Sequence, residues 1–261
     1  MSTARLPAVF FGHGSPMNTL LRNRYTLAWE QFGARTPRPR SILCISAHWY
    51  TRGTAVTSMA TPKTIHDFGG FPQALYEVEY PAPGDPPLAA RVIALLSGTR
   101  VAADASEWGL DHGTWSVLKH VYPQADIPVV QLSIDGTQPL AYHYELAKSL
   151  APLRDEGVLV VGSGNVVHNL GVLRAPGAAP YTWATRFNET VRSRLLAHEH
   201  AALADMVALG EHAAMSIPTP EHYLPLLYVI ALQRVDDALQ FLVDGIELGS
   251  IGMLSIALEA T

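Results

Sequence analysis

Four short apolar runs, each closed by Gly, Ser, Pro or His, constrain this chain more than anything else in it. They are Ala8-Val-Phe-Phe11, Ser41-Ile-Leu-Cys-Ile-Ser46, Val129-Val-Gln-Leu-Ser133 and Val158-Leu-Val-Val-Gly162. Runs this compact and this apolar read as strands buried on both faces of a covered sheet. Segments with helical spacing fall between and after them, over residues 19–32, 86–96, 113–121, 139–154, 181–197 and 219–233, and late strands are expected over 239–243 and 253–258. Pro139 is expected in the first turn of its helix, and Thr219 to cap a helix whose first turn holds Pro220, Glu221 and His222. The alternation predicts an α/β fold, a single three-layer domain over residues 1–261 with a central mixed, largely parallel sheet flanked by helices.

Composition narrows the classes of partner. A net charge of -5, with Lys and Arg scattered along the chain, argues against a nucleic-acid footprint. The longest apolar stretch, residues 223–232, is too short to span a bilayer, and the N-terminal residues lack a signal-peptide core. Cys44 is the sole cysteine and lies inside an apolar run, so a buried thiol, no disulfide and a cytoplasmic setting are expected. The number of copies in the functional unit is left open.

Histidines mark the ends of the apolar runs. His13 sits in Phe11-Gly-His-Gly-Ser-Pro16, His48 in Ile45-Ser-Ala-His-Trp49, His168 in Gly162-Ser-Gly-Asn-Val-Val-His-Asn169 and His222 in Thr219-Pro-Glu-His-Tyr-Leu-Pro225. Neutral imidazole binds first-row metals well, and α/β folds assemble sites at strand ends, so a mononuclear metal centre is expected. His13 and His48 are expected to share a rim if their strands are neighbours, and His168 to lie one helical turn beyond its strand. Each has a rival reading: a turn histidine or an oxyanion-hole segment at His13, a structural histidine at His48, an anion-cradling loop before His168. The chain has no Gly-x-Ser-x-Gly elbow, which weighs against a serine hydrolase. Glu221 reads as a helix-dipole partner, and His120, His143, His198, His200 and His212 as exposed histidines without a partner motif. The irregular, proline-bearing stretch 61–85 reads as a functional loop, in which His66 either touches substrate or bonds locally. Trp49, Phe68, Phe71 and Tyr223 are candidates for an aromatic wall.

Taken in order, Gly-His-Gly-Ser-Pro16, Ser-Ala-His-Trp49, His66-Asp-Phe-Gly-Gly-Phe-Pro72, Asp-His-Gly-Thr-Trp115, Gly-Asn-Val-Val-His-Asn169 and Pro-Glu-His-Tyr-Leu-Pro225 resemble the 4,5-DOPA extradiol dioxygenase family, within the class III extradiol ring-cleavage enzymes. The resemblance runs to Gly-Ser-Ile-Gly-Met-Leu-Ser255 and so covers nearly the whole chain. It implies metal ligands at His13, His48 and His222, a ligand or an acid/base at His168, and at His112 a histidine beside the metal that assists O2 and substrate. It also implies one divalent metal per chain, Fe(II) for activity with Zn2+ possible as bound, and a DOPA-like catechol opened with O2 to a muconic semialdehyde. Typical class III enzymes use two His and one Glu, whereas the third position here is His222 beside Glu221. Two other classes are weighed against this one: a zinc-dependent hydrolase of an amide, ester or lactone, and a non-catalytic metal-dependent binding protein.

Overall fold

A computed structural model describes residues 5–261, so Met1–Ala4 of the N-terminal reading lie outside the described residues. The strands are β1 Ala8–Gly12, β2 Ser41–Thr51, β3 Thr54–Thr57, β4 Val101–Asp104, β5 Val129–Asp135, β6 Val158–Gly164, β7 Asp237–Val243, β8 Ile246–Glu247, β9 Ile251–Gly252 and β10 Ser255–Ala260. Eight of them form one sheet in the order β4-β3-β5-β2-β6-β1-β10-β7, and β8 and β9 form a separate hairpin. The central strands β5, β2, β6 and β1 run parallel. Antiparallel pairing enters at β3 with β5 and at β10 with both of its neighbours. The expected α/β domain with a mixed sheet is what the chain forms.

Period-two alternation splits the central strands between two cores. Ala8, Phe10, Leu43, Ile45, Val130, Leu132, Val158 and Val160 face one side, packed with the helices Pro86–Leu95, Leu140–Lys148, Thr182–Leu196 and Leu224–Ile230. Val9, Phe11, Ile42, Cys44, Val129, Leu159 and Val161 face the other, under the helices Arg24–Arg35 and His112–Val121. Every one of these side chains is buried, which is why the runs contain so few polar residues. Among the described residues no helix is long and apolar enough to cross a membrane.

Local chemistry moved three helix boundaries. The pattern over 19–32 divides at Asn23, whose side chain accepts from the N–H groups of Tyr25 and Thr26 while Thr26 Oγ1 accepts from Asn23 N–H; this capping box starts the helix at Arg24. Pro139 stands before its helix rather than in the first turn, and that helix ends at Lys148, ahead of a separate 3-10 turn over Ala151–Arg154. Thr219 does not cap a helix. Residues 219–222 form a turn in which Tyr223 and Leu224 both donate to the Pro220 carbonyl, and the helix begins at Leu224.

A buried ion pair ties the far side of this scaffold together. The fully buried Arg154 guanidinium donates to the carbonyls of Leu6, Leu232 and Leu258 and to both carboxylate oxygens of Asp237, which Arg5 also contacts. Removing the carboxylate leaves a buried cation without its counter-charge. Asp237→Ala is therefore expected to lower unfolding free energy by about 3–5 kcal/mol, read as the midpoint shift in a urea titration.

Candidate metal centre

The five candidate histidines come together at the carboxyl end of the parallel strands. His13 follows β1 directly and its N–H donates to the Gly164 carbonyl at 3.0 Å, after which Gly14, at φ 62°, turns the chain away. His48 lies inside β2 rather than past its end, where the β2–β5 register shifts between Ile45 and Tyr50. The strands β1 and β2 are not neighbours: β6 lies between them and pairs with both, so it sets the spacing of the two imidazoles. His222 reaches the same rim from its turn, its carbonyl accepting from Asn165 N–H at 2.8 Å. A Cβ at Gly164 would lie 2.1 Å from that carbonyl oxygen, so the approach requires glycine. The rival reading of an anion-cradling loop does not hold: Gly162–Gly164 belong to β6.

His112 opens the helix His112–Val121, capped by Asp111, which accepts from Thr114 N–H, the Ser46 hydroxyl and the Gln131 amide. His168 is not one helical turn past β6. It sits in a loop where its N–H donates to the Ser216 carbonyl and its backbone bridges to Ile251. All five imidazoles line one cavity of about 460 Å³, together with Asp67, Phe68, Phe71, Leu170, Leu173, Leu248 and Ile251.

Hydrogen bonding fixes which nitrogen of two of the rings, His13 and His222, carries the proton, and a carboxylate beside Nδ1 favours the same form of His48. His13 Nδ1 lies 2.9 Å from Ser163 Oγ, and the Ser163 hydroxyl donates to the Gly113 carbonyl, so Oγ acts as acceptor and His13 Nδ1 as donor. His48 Nδ1 lies 3.2 Å from an Asp67 carboxylate oxygen, and His222 Nδ1 lies 3.2 Å from a Glu221 oxygen. In each case the proton belongs on Nδ1 and the lone pair on Nε2. His13 Nε2 and His48 Nε2 face each other at 3.3 Å. With both Nδ1 atoms carrying the proton, two lone pairs meet there, an arrangement that a cation between them relieves.

Electrostatics keep His13, His48, His168 and His222 neutral. Burial, then the neighbouring imidazoles, push the proton affinities of His13 and His222 far below the ordinary histidine value. Burial and then His112 bring His48 down to about 3, and burial brings His168 to about 4. Burial opposes ionisation of Asp67, but its contacts with His112 and His48 outweigh that and leave the carboxyl at about 2. Two groups among the described residues bring metal-ligating atoms close together: His13, His48 and His112, and His168, Glu221 and His222.

Other expectations sort cleanly. Phe68 and Phe71 line the cavity, whereas Trp49 stacks on Trp108 and Tyr223 is buried with its hydroxyl on the Leu203 carbonyl. His66 bonds locally to the Val78 carbonyl. His143 is fully buried against the Tyr228 hydroxyl, contrary to the exposure expected of it, because the Leu140–Lys148 helix turns that face onto the Leu224–Ile230 helix. His198 is exposed as expected, whereas His120 and His200 are half-buried with partners, His120 on the Asn18 carbonyl and His200 beside the Tyr144 hydroxyl, because each packs against a neighbouring element away from the site. Three residues went unread as parts of the site: Asp67, Ser163 and Glu221, the last taken for a helix-dipole partner although no helix begins there. Only their adjacency to a histidine or glycine motif hinted at them.

Comparison with known proteins gives this cavity its context. Residues 22–238 match the catalytic LigB subunit of aromatic ring-opening dioxygenase. The chain belongs to this family. It is 53% identical over 259 residues to the 4,5-DOPA dioxygenase extradiol of Escherichia coli strain K12, covering 98% of this chain and 96% of that one. It is 38% identical to the 4,5-DOPA dioxygenase extradiol of Beta vulgaris, covering 83% of each. A crystal structure of an uncharacterized protein from E. coli K12 superposes with a TM-score of 0.85 at 47% identity, covering 97% of this chain and 99% of that one. As a LigB-family member the chain is a metal-dependent extradiol-type aromatic ring-opening dioxygenase, and the histidine cluster is where a metal fits.

Proposed function

We propose that this enzyme opens a catechol-type, DOPA-like ring beside its diol with O2, giving a muconic semialdehyde, and that His13, His48 and His222 hold its divalent metal while His112 and His168 handle protons. The observation that carries the ligand set is the pair of Nε2 lone pairs of His13 and His48 at 3.3 Å, with His222 oriented the same way beside them. Ring spacing supports it. At metal–nitrogen distances of about 2.0–2.1 Å, imidazoles on one tetrahedral ion have centres roughly 5 Å apart. His13–His48, His13–His222 and His48–His222 are 5.1, 5.4 and 5.0 Å apart. His48–His112 and His168–His222, at 3.8 and 3.4 Å, are too close to share an ion that way. The Nδ1 partners Ser163, Asp67 and Glu221 are the outer contacts that metal-binding histidines use to fix ring orientation.

When bound, Fe(II) would orient both diol oxygens and supply an electron path between ring and O2, a path Zn2+ on the same donors lacks. The remaining work falls to side chains. His168 is unprotonated at pH 7, so its imidazole accepts a catechol hydroxyl proton and returns it as the ring opens. His112 stands across the cavity with its Nδ1 side toward Asp67, which leaves Nε2 to meet substrate or O2. Phe68 packs edge-on to His112 at 5.4 Å, and Leu170, Leu173, Leu248 and Ile251 give the mouth an apolar wall that receives the ring and excludes water. The buried Cys44 suits a reducing, cytoplasmic setting.

Protein loaded anaerobically with Fe(II) is expected to consume O2 with catechols such as L-DOPA and to form a yellow ring-opened product. An oxygen electrode and absorbance spectra read this directly. No uptake across a broad catechol panel, with iron content verified, would sink the proposal.

A further inference from the structure

The loop over 61–85 sends Asp67, Phe68 and Phe71 into the cavity, and of these Asp67 is the one that contacts histidines through a charged group. Asp67 Oδ2 lies 3.2 Å from His48 Nδ1 and 3.0 Å from His112 Nδ1, while Asp67 Oδ1 accepts the His112 backbone N–H at 2.9 Å. One carboxylate therefore touches a strand histidine, a helix-start histidine and the backbone of that helix start. The two rings beside it sit 3.8 Å apart at 49°.

The geometry points to Asp67 as a shared positioning residue that sets the tautomer of His48 and the place of His112 together. The inference rests on His48 being a metal ligand, as read above. A carboxylate 3.2 Å from Nδ1 favours the tautomer that carries its proton there, which keeps the His48 Nε2 lone pair for the metal. The other Asp67 oxygen, by accepting the His112 backbone N–H, places the His112 ring beside that lone pair, so one loop residue adjusts metal affinity and proton handling at once. Because Asp67 adjoins Phe68 in the cavity wall, whatever shifts the loop shifts both functions.

The test uses Zn2+ as probe, titrated into metal-free protein against a chromophoric chelator, alongside kcat and KM of the Fe(II)-loaded enzyme. Asp67→Asn is expected to weaken Zn2+ binding roughly 10–100-fold, in the parent and equally in a His112→Ala background. On kcat the two substitutions should combine to less than the product of their separate effects, as expected of residues acting as a unit. Asp67→Glu, which keeps the charge, should recover part of the lost Zn2+ affinity. Zn2+ affinity within twofold of the parent overturns the inference, as does a loss confined to the protein that retains His112, or no recovery in Asp67→Glu. Failure of the ligand reading looks different, because the parent protein itself would then show no tight Zn2+ site.

Discussion

His48→Ala is expected to yield folded protein that no longer retains metal. The three imidazoles proposed as ligands have ring centres that form a nearly equilateral triangle, so each is expected to contribute a comparable share of the binding. Protein zinc sites with about four ligands bind with about 10–16 kcal/mol in total, or roughly 3–4 kcal/mol for each, so losing one costs two to three orders of magnitude in affinity. Metal analysis after dialysis against a weak chelator reads the loss, and ring opening should vanish with it. His222→Ala should behave alike. Glu221→Gln, which only loosens the Nδ1 contact at 3.2 Å, should fall in the 10–100-fold range. The contrast matters because a general loss of folding would affect all three variants without this ordering. Full metal retention by His48→Ala would remove it from the ligand set.

The sheet was legible because burial on both faces leaves a compositional trace: Val158-Leu-Val-Val161 carries no polar residue and sits at the centre of the fold. The ends were less legible. The strand β2 runs on through Ser46, Ala47 and His48, a mixed stretch that reads as a loop and is held between the β6 pairing that ends at Ser46 and the β5 pairing that resumes at Tyr50. The Thr219–His222 turn imitates a helix start residue by residue, since Thr and Pro suit both; the Asn165–His222 hydrogen bond, formed across 57 residues of chain, accompanies the turn, and local propensity does not contain it. For the same reason the histidines could be nominated from turn chemistry, while their anchors could not. Asp67 meets His48 and His112 only after the 61–85 loop folds back, and a carboxylate in an irregular loop carries no spacing signal. His13 and His48 do share a rim, but through β6 as an intermediary rather than as strand neighbours.

His168→Ala is expected to keep its metal and lose turnover by about 10²–10⁴-fold, the usual range for a general acid–base group. The reason is orientation. Its ring lies 3.4 Å from that of His222 with 9° between their planes. Imidazole lone pairs lie in the ring plane, so two rings stacked this way cannot both direct a lone pair at one point, and His222 rather than His168 would be the one to hold a metal there. His168 lines the cavity, where the proposed role is that of a proton carrier. Its pH dependence follows from burial, which disfavours the charged ring and lowers its value from 6.5 to about 4. The base form therefore persists well below the pH at which an exposed histidine would protonate, and turnover through this group is lost as pH falls through about 4. A kcat/KM profile of the parent should keep its plateau across pH 5–7, and the acid limb near 4 should be missing from His168→Ala. Metal loss in that variant would instead make His168 a ligand and require His222 and His168 to part from their stack.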